Sequence, residues 1–195
     1  MRKVVVCNLL SLDGYVAGPG GDLSGMPFDT GFSEYNLERL EAADTFLLGR
    51  KTFEGFRQYW PSKVDDSSQP ARERDIARVN TAIEKLVVSD TLRPENADGW
   101  GPVRIIRRAD AHAEVAALRQ QEGKEIHIHG SHVLWNDLLA HGLVDELHFL
   151  FGAGAIAGGV SAFERPVRGL RLIETRRFDT SNLVLLRYAV DNSAS

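Results

Sequence analysis

The run "KVVVCNLL", Lys3 to Leu10, is apolar on both faces of an extended chain, the pattern of a strand with packing partners on either side. It opens an alternation of strand-like and helix-like segments that continues for most of the 195 residues. "SEYNLERLEAAD" reads as a short helix with Ser33 as its N-cap. "TFLLGR" is a buried strand ending at Gly49, and "KTFEGFRQYW" is a helix with Phe53, Phe56 and Trp60 on one face, stopped by Pro61. A polar loop from Ser62 to Arg74 leads into a helix around Ile76 and Val79, and "EKLVVSD" and "VRIIRR" are the next strands. In "DAHAEVAALRQQEG", Asp110 is placed to cap a helix whose buried stripe is Ala111, Val115 and Leu118, with Gly123 closing it. "EIHIHG" is a strand, "SHVLWNDLLAHG" a helix closed by Gly142, and "LVDELHFLF" a strand. "LRLIETRRF", the turn "DTSN" and "LVLLRYAV" form an antiparallel hairpin. The glycine-rich "DGYVAGPGGD" reads as irregular.

Together these segments predict an α/β fold: a mostly parallel central sheet covered by helices on both faces, with a C-terminal antiparallel hairpin. The length suits one domain over residues 1–190, followed by a short tail, 191–195. A net charge of -4 argues against a broad nucleic-acid surface, which needs a basic field. No apolar run approaches the roughly 20 residues that span a bilayer, so neither nucleic acid nor membrane is the expected partner. Cys7 stands alone in an apolar run, which predicts a packed thiol in a reducing, cytoplasmic compartment. The stretch "MRKVVVCNLLSLDGYVAG" superficially mimics a secretory leader. Asn8, Ser11 and Asp13 interrupt its apolar core, and it reads as a first strand.

In sheets of this kind the ligand sits beyond the carboxyl ends of the strands, here at the junctions Gly49, Ser89 and Gly130. After Gly49 come Arg50, Lys51 and Thr52, where a helix start, two cations and a hydroxyl favour an anion. Solvated cations with Thr52 as a simple cap are the other reading. Ser89 and Asp90 alone read as a turn and helix cap. "HGSHVLW" repeats the first junction with Gly130 and Ser131, so two corners of one sheet would grip opposite ends of one nucleotide cofactor. His127 and His129 share a strand face and His132 follows in the first helical turn. Packed imidazoles, a share in cofactor contact and a zinc-type site are all readings of that trio. "GAGAIA", Gly152 to Ala157, matches the GxGxxA fingerprint, but Gly158 and Gly159 interrupt any following helix, so it reads as a loop.

Five segments occur in a familiar order: "SLDGYVAG", "DTFLLGRKTFEGFRQYWP", "VVSDTL", "IHIHGSHVLWNDLLAHGLVDELHFLF" and "LVLLRY". In combination the chain resembles the stand-alone reductases similar to the C-terminal domain of the bacterial riboflavin-pathway deaminase-reductase, within the three-layer dihydrofolate reductase fold. The resemblance implies an NADPH-dependent oxidoreductase that passes hydride to a C=N or C=O carbon of a small heterocyclic or ribosyl-imine substrate. It implies that Gly49, Arg50, Lys51 and Thr52 hold the adenosine-side phosphates, that Ser89 lies near the 2′-phosphate, and that Gly130 and Ser131 carry the pyrophosphate. "SLDGYVAG" would be a mobile loop beside the nicotinamide, with Asp13 making a tight turn or facing the substrate. Glu34 is the nearest equivalent of the carboxylate with which dihydrofolate reductases hold a pterin. Relatives imply a homodimer, through "LVDELHFLF" and the tail hairpin. The chain departs from the family in carrying Gly130-Ser131 for a glycine pair, and "GAGAIAGGVSAF" without the usual proline and cation. A non-catalytic NADP(H)-binding protein is therefore the alternative, and a metal enzyme built on His127, His129 and His132 a third.

Overall fold

A computed structural model describes residues 1–192, so of the expected tail only residues 191 and 192 are included. Eight strands form one sheet in the order β5-β4-β3-β6-β1-β7-β10-β9. They are β1 (Val4–Leu10), β3 (Ala43–Gly49), β4 (Glu84–Val88), β5 (Val103–Ile106), β6 (Glu125–His129), β7 (Glu146–Phe151), β9 (Leu170–Arg177) and β10 (Val184–Val190). All pairings from β5 through β7 are parallel, and β10 runs antiparallel to both β7 and β9. The apolar "VVVCNLL" is β1, buried at every position between β6 and β7.

Helices cover both faces. α4 (Ala111–Gln120) and α5 (His132–Ala140) pack Val115, Leu118, Trp135 and Leu138 onto Val4, Val6, Ile126 and Ile128 of the sheet. On the other face, α2 (Arg50–Tyr59) and α3 (Ala71–Ala82) bury Phe53, Ile76 and Ala77 around Phe46, Leu48 and Trp100. α1 (Thr30–Ala42) covers Cys7, Leu9 and Leu150 with Phe32 and Tyr35. Each large apolar side chain fully buried in these layers contributes about 1.5–3 kcal/mol.

A buried polar chain ties α1 to the antiparallel edge. The Tyr35 hydroxyl lies 2.8 Å from His148 Nδ1, and His148 Nε2 lies 2.8 Å from Glu146 Oε2. The same Nε2 also lies 3.2 Å from Arg187 Nε, so it sits between a carboxylate acceptor and a guanidinium donor. Arg187 bridges Glu146 to Glu174 on β9, and Arg176 joins Glu174 to Glu38 on α1. Hydrogen bonds from His148 first, then Lys3 and Arg187, hold the Glu146 carboxyl well below the usual range.

Several local expectations are corrected. The N-cap of α1 is Asp29, whose Oδ1 accepts from the Gly31 and Phe32 amides, while the Ser33 hydroxyl donates to Glu73. The same Asp29 receives the Ser181 hydroxyl and Asn182 amide, so the cap belongs to a contact with the hairpin turn that no local pattern encodes. Asp110 makes no capping bond, because a 3₁₀ turn over Arg108–Asp110 runs into α4. α3 begins at Ala71, inside the stretch read as loop. In the glycine-rich segment, β2 (Tyr15–Ala17) pairs with β8 (Val160–Ser161), a partner distant in sequence. β7, in "LVDELHFLF", lies between β1 and β10, and the two edge strands of the sheet are β5 and β9.

Candidate cofactor-binding site

Parallel pairing brings the carboxyl ends of β5, β4, β3, β6 and β1 to one edge of the sheet. β3 and β6 are neighbours, so the two glycine corners meet. The Gly49 amide donates to Ser131 Oγ at 3.0 Å, and the Ser131 amide donates to Thr52 Oγ1 at 3.0 Å. The starts of α2 and α5 are thereby joined, and neither is capped by its own N-cap side chain. The idea of corners at opposite ends of a ligand is thus corrected: adjacent strands run about 4.8 Å apart, and the corners form one compound site.

Its backbone is specialised. Gly130 has φ +61°, and a Cβ there would stand 3.0 Å from Thr52 Cγ2. Ser131 follows at φ 50°, a left-handed conformation that costs a non-glycine residue about 1–2 kcal/mol and is tolerated when fixed contacts hold it. Below the corner, buried Asn8 accepts from the Gly130 amide at 2.8 Å, while its own Nδ2 has no partner. Two aligned helix starts and an orphan amide donor fit a phosphate group. Thr52 thus faces the corner, Arg50 and Lys51 are exposed beside it, and Arg50 reaches Glu54 at 3.4 Å.

Toward β4 and β5 this end of the sheet is polar and carries charges of both signs. The Ser89 hydroxyl accepts from the Thr91 and Leu92 amides, which is the turn-capping geometry, and leaves its proton free to donate. Arg93 and Arg107 line a polar depression with Asp90, Thr91 and Glu95. Both arginines were legible as cations just past strand ends, yet sequence reasoning passed over them.

Toward β1 and β7 the edge is aromatic and loop-covered. Phe28, Phe32, His129 and Phe56 make a row with successive ring separations of 5.2, 5.2 and 5.7 Å. Burial lowers the His129 imidazole to about 4 and His127 further, so both are neutral at neutral pH. His127 packs against Phe46, and neither of its ring nitrogens has a partner. His132 turns instead to Ser161 O and Glu164, in the layer of α5, so the three histidines do not gather into one site.

Asp13 grips the "GAGAIA" loop: Oδ1 accepts from Ile156 N at 3.2 Å and Oδ2 from Ala157 N at 2.8 Å. The Ser11 hydroxyl and then these amides lower its carboxyl below the ordinary aspartate value, so it is ionised at neutral pH. Leu12 N to Gly154 O and Ala162 N to Gly14 O complete the stitching of the two loops. Glu34 points the other way, to Arg72 of α3 at 3.7 Å.

The match to known proteins agrees with this architecture. The family model of the RibD C-terminal domain covers residues 2–184. YyaP of Bacillus subtilis (strain 168) is 27% identical over 191 residues, spanning 96% of this chain and 94% of that one. The deaminase/5-amino-6-(5-phosphoribosylamino)uracil reductase of Thermotoga maritima superposes with a TM-score of 0.70 at 10% identity, over 97% of this chain and 57% of that longer one. Dihydrofolate reductase of Enterococcus faecalis, in complex with NADP(H), gives 0.58 at 15% identity over 96% and 94%. At such identities the structural likeness speaks for the fold. With the family pattern running through nearly every element that builds the corner, the chain belongs to the RibD C-terminal domain family.

Proposed function

We propose that this protein is an NADPH-dependent reductase. The observation that carries the reading is the joined start of α2 and α5, with exposed Arg50 and Lys51 beside it and a row of aromatic rings on the other side. Five strand ends from β5 to β1 span about 19 Å. Across that track, Arg93, Arg107 and the Ser89 hydroxyl would take the 2′-phosphate end, and the Gly49–Thr52 and Gly130–Ser131 corner the pyrophosphate. The aromatic row of Phe28, Phe32 and His129, beside the paired loops, would face the nicotinamide and substrate. Arg50 and Lys51 stand between the two phosphate positions and neutralise both.

The chemistry supplied by the bound cofactor is hydride donation to a C=N or C=O carbon. Asp13 fixes the loop that closes the cleft and keeps water out. Being ionised, it is not the proton donor, and solvent supplies that proton. Glu34, paired with Arg72, does not hold the substrate. An aromatic row with a neutral imidazole and no facing carboxylate suits an uncharged planar heterocycle. The uracil ring in the substrate named for the Thermotoga relative supports an uncharged ring of that kind, although that substrate carries its phosphate on an attached ribosyl group. A homodimer, if formed, would use the β9 edge, where Leu172 and Ile173 are exposed.

The test is NADPH consumption across a panel of pterins, pyrimidines and quinones. The proposal expects consumption matched by product with at least one heterocycle. Tight NADPH binding with no turnover on any of them would leave a binding protein instead.

A further inference from the structure

A second cluster lies away from the cofactor corner, on the outer surface of the α4–α5 layer. Asp137 on α5 and His141, the C-cap of α5, are four residues apart, and His112 reaches them from the first turn of α4. His112 Nε2 is 2.6 Å from Asp137 Oδ2, and His141 Nδ1 is 3.5 Å from Asp137 Oδ1. The two imidazoles stack with centroids 3.9 Å apart and planes 31° from parallel. One donor atom from each of the three residues lies within 4.8 Å of the others.

We propose that His112, Asp137 and His141 form a surface site for a borderline transition-metal dication such as Zn²⁺. Two imidazoles and a carboxylate are a donor set that favours Zn²⁺, Ni²⁺ or Cu²⁺ over Mg²⁺ or Ca²⁺. His141 Nδ1 also lies 2.8 Å from the Asp137 carbonyl, which can only accept. That bond places the proton on Nδ1 and the lone pair on Nε2, the arrangement by which a backbone carbonyl orients a metal-binding imidazole. Half-exposed side chains leave the remaining coordination positions to water.

The site lies roughly 9 to 15 Å along α5 from Ser131, at 1.5 Å of rise per residue. A metal there would clamp α4 to α5 rather than take part in hydride transfer. Binding should therefore raise Tm without changing reductase activity.

The experiment is a titration of the full, untagged chain with Zn²⁺, followed by Co²⁺ absorption spectroscopy on the same protein. One saturable site is expected, with Co²⁺ giving ligand-field bands of imidazole coordination. His112→Ala and His141→Ala should each weaken binding at least tenfold, and Asp137→Asn should weaken it less, while His132→Ala leaves it unchanged. These side chains are half-exposed, and the far-ultraviolet spectrum of each variant verifies folding. No saturable binding at millimolar Zn²⁺, or binding that survives both alanine variants, would overturn the proposal.

Discussion

The Thr52 hydroxyl accepts the Ser131 amide at 3.0 Å, joining residues 79 apart in the chain at the meeting point of two helix starts. Replacing it by valine keeps the branched shape and removes the acceptor. Thr52→Val should leave the Ser131 amide unpaired and lower stability by about 1–2 kcal/mol, read from denaturant unfolding. It should also weaken NADPH at least about tenfold in a fluorescence titration, since the corner loses a hydroxyl and its fixed geometry.

The two candidate substrate-facing carboxylates, Asp13 and Glu34, can be separated by experiment. Asp13 presents one oxygen to each of two loop amides, and asparagine offers only one acceptor. Asp13→Asn should reduce kcat several-fold with NADPH affinity within about twofold, because the loop closes less firmly over an otherwise intact corner. Glu34→Gln should change neither kcat nor KM, and should alter stability by less than about 0.5 kcal/mol, as expected for an exposed pair at 3.7 Å.

Acid should weaken the fold through the buried imidazoles. Burial lowers His129 to about 4 and His127 further from the ordinary 6.5. Between the lowered and ordinary values the unfolded chain takes up protons that the folded chain refuses. Stability is therefore intact above about pH 6.5 and is lost as pH falls below it, by up to about 1.4 kcal/mol per pH unit for His127 and less for half-buried His129. His127→Phe should flatten part of that slope in unfolding curves taken from pH 7 to 5. At pH 7 it should be neutral or stabilising, because two unpartnered ring nitrogens disappear beside Phe46.

What the sequence made legible was whatever a single element encodes. The double-faced apolar run of β1, the Phe53 and Trp60 face of α2 and the glycines closing the strand ends all stood where periodicity and turn chemistry put them. What it hid depends on partners far along the chain. Asp29 caps α1 because Ser181 and Asn182 dock on it, and β2 exists because β8 returns to it. The contact of Gly49 with Ser131 follows from β3 and β6 being neighbours, an order that no local pattern states. The histidine trio is divided for the same reason: His127 and His129 share a face and pack there, while α5 carries His132 to the other side of the sheet, where α4 also sits.

The most direct test is equilibrium titration of the purified protein with NADPH and NADH. A compound corner flanked by Arg93, Arg107, Arg50 and Lys51 should bind NADPH saturably at sub-millimolar concentration, and NADH at least about tenfold more weakly. Failure of both nucleotides to bind at that concentration would contradict the account at its centre.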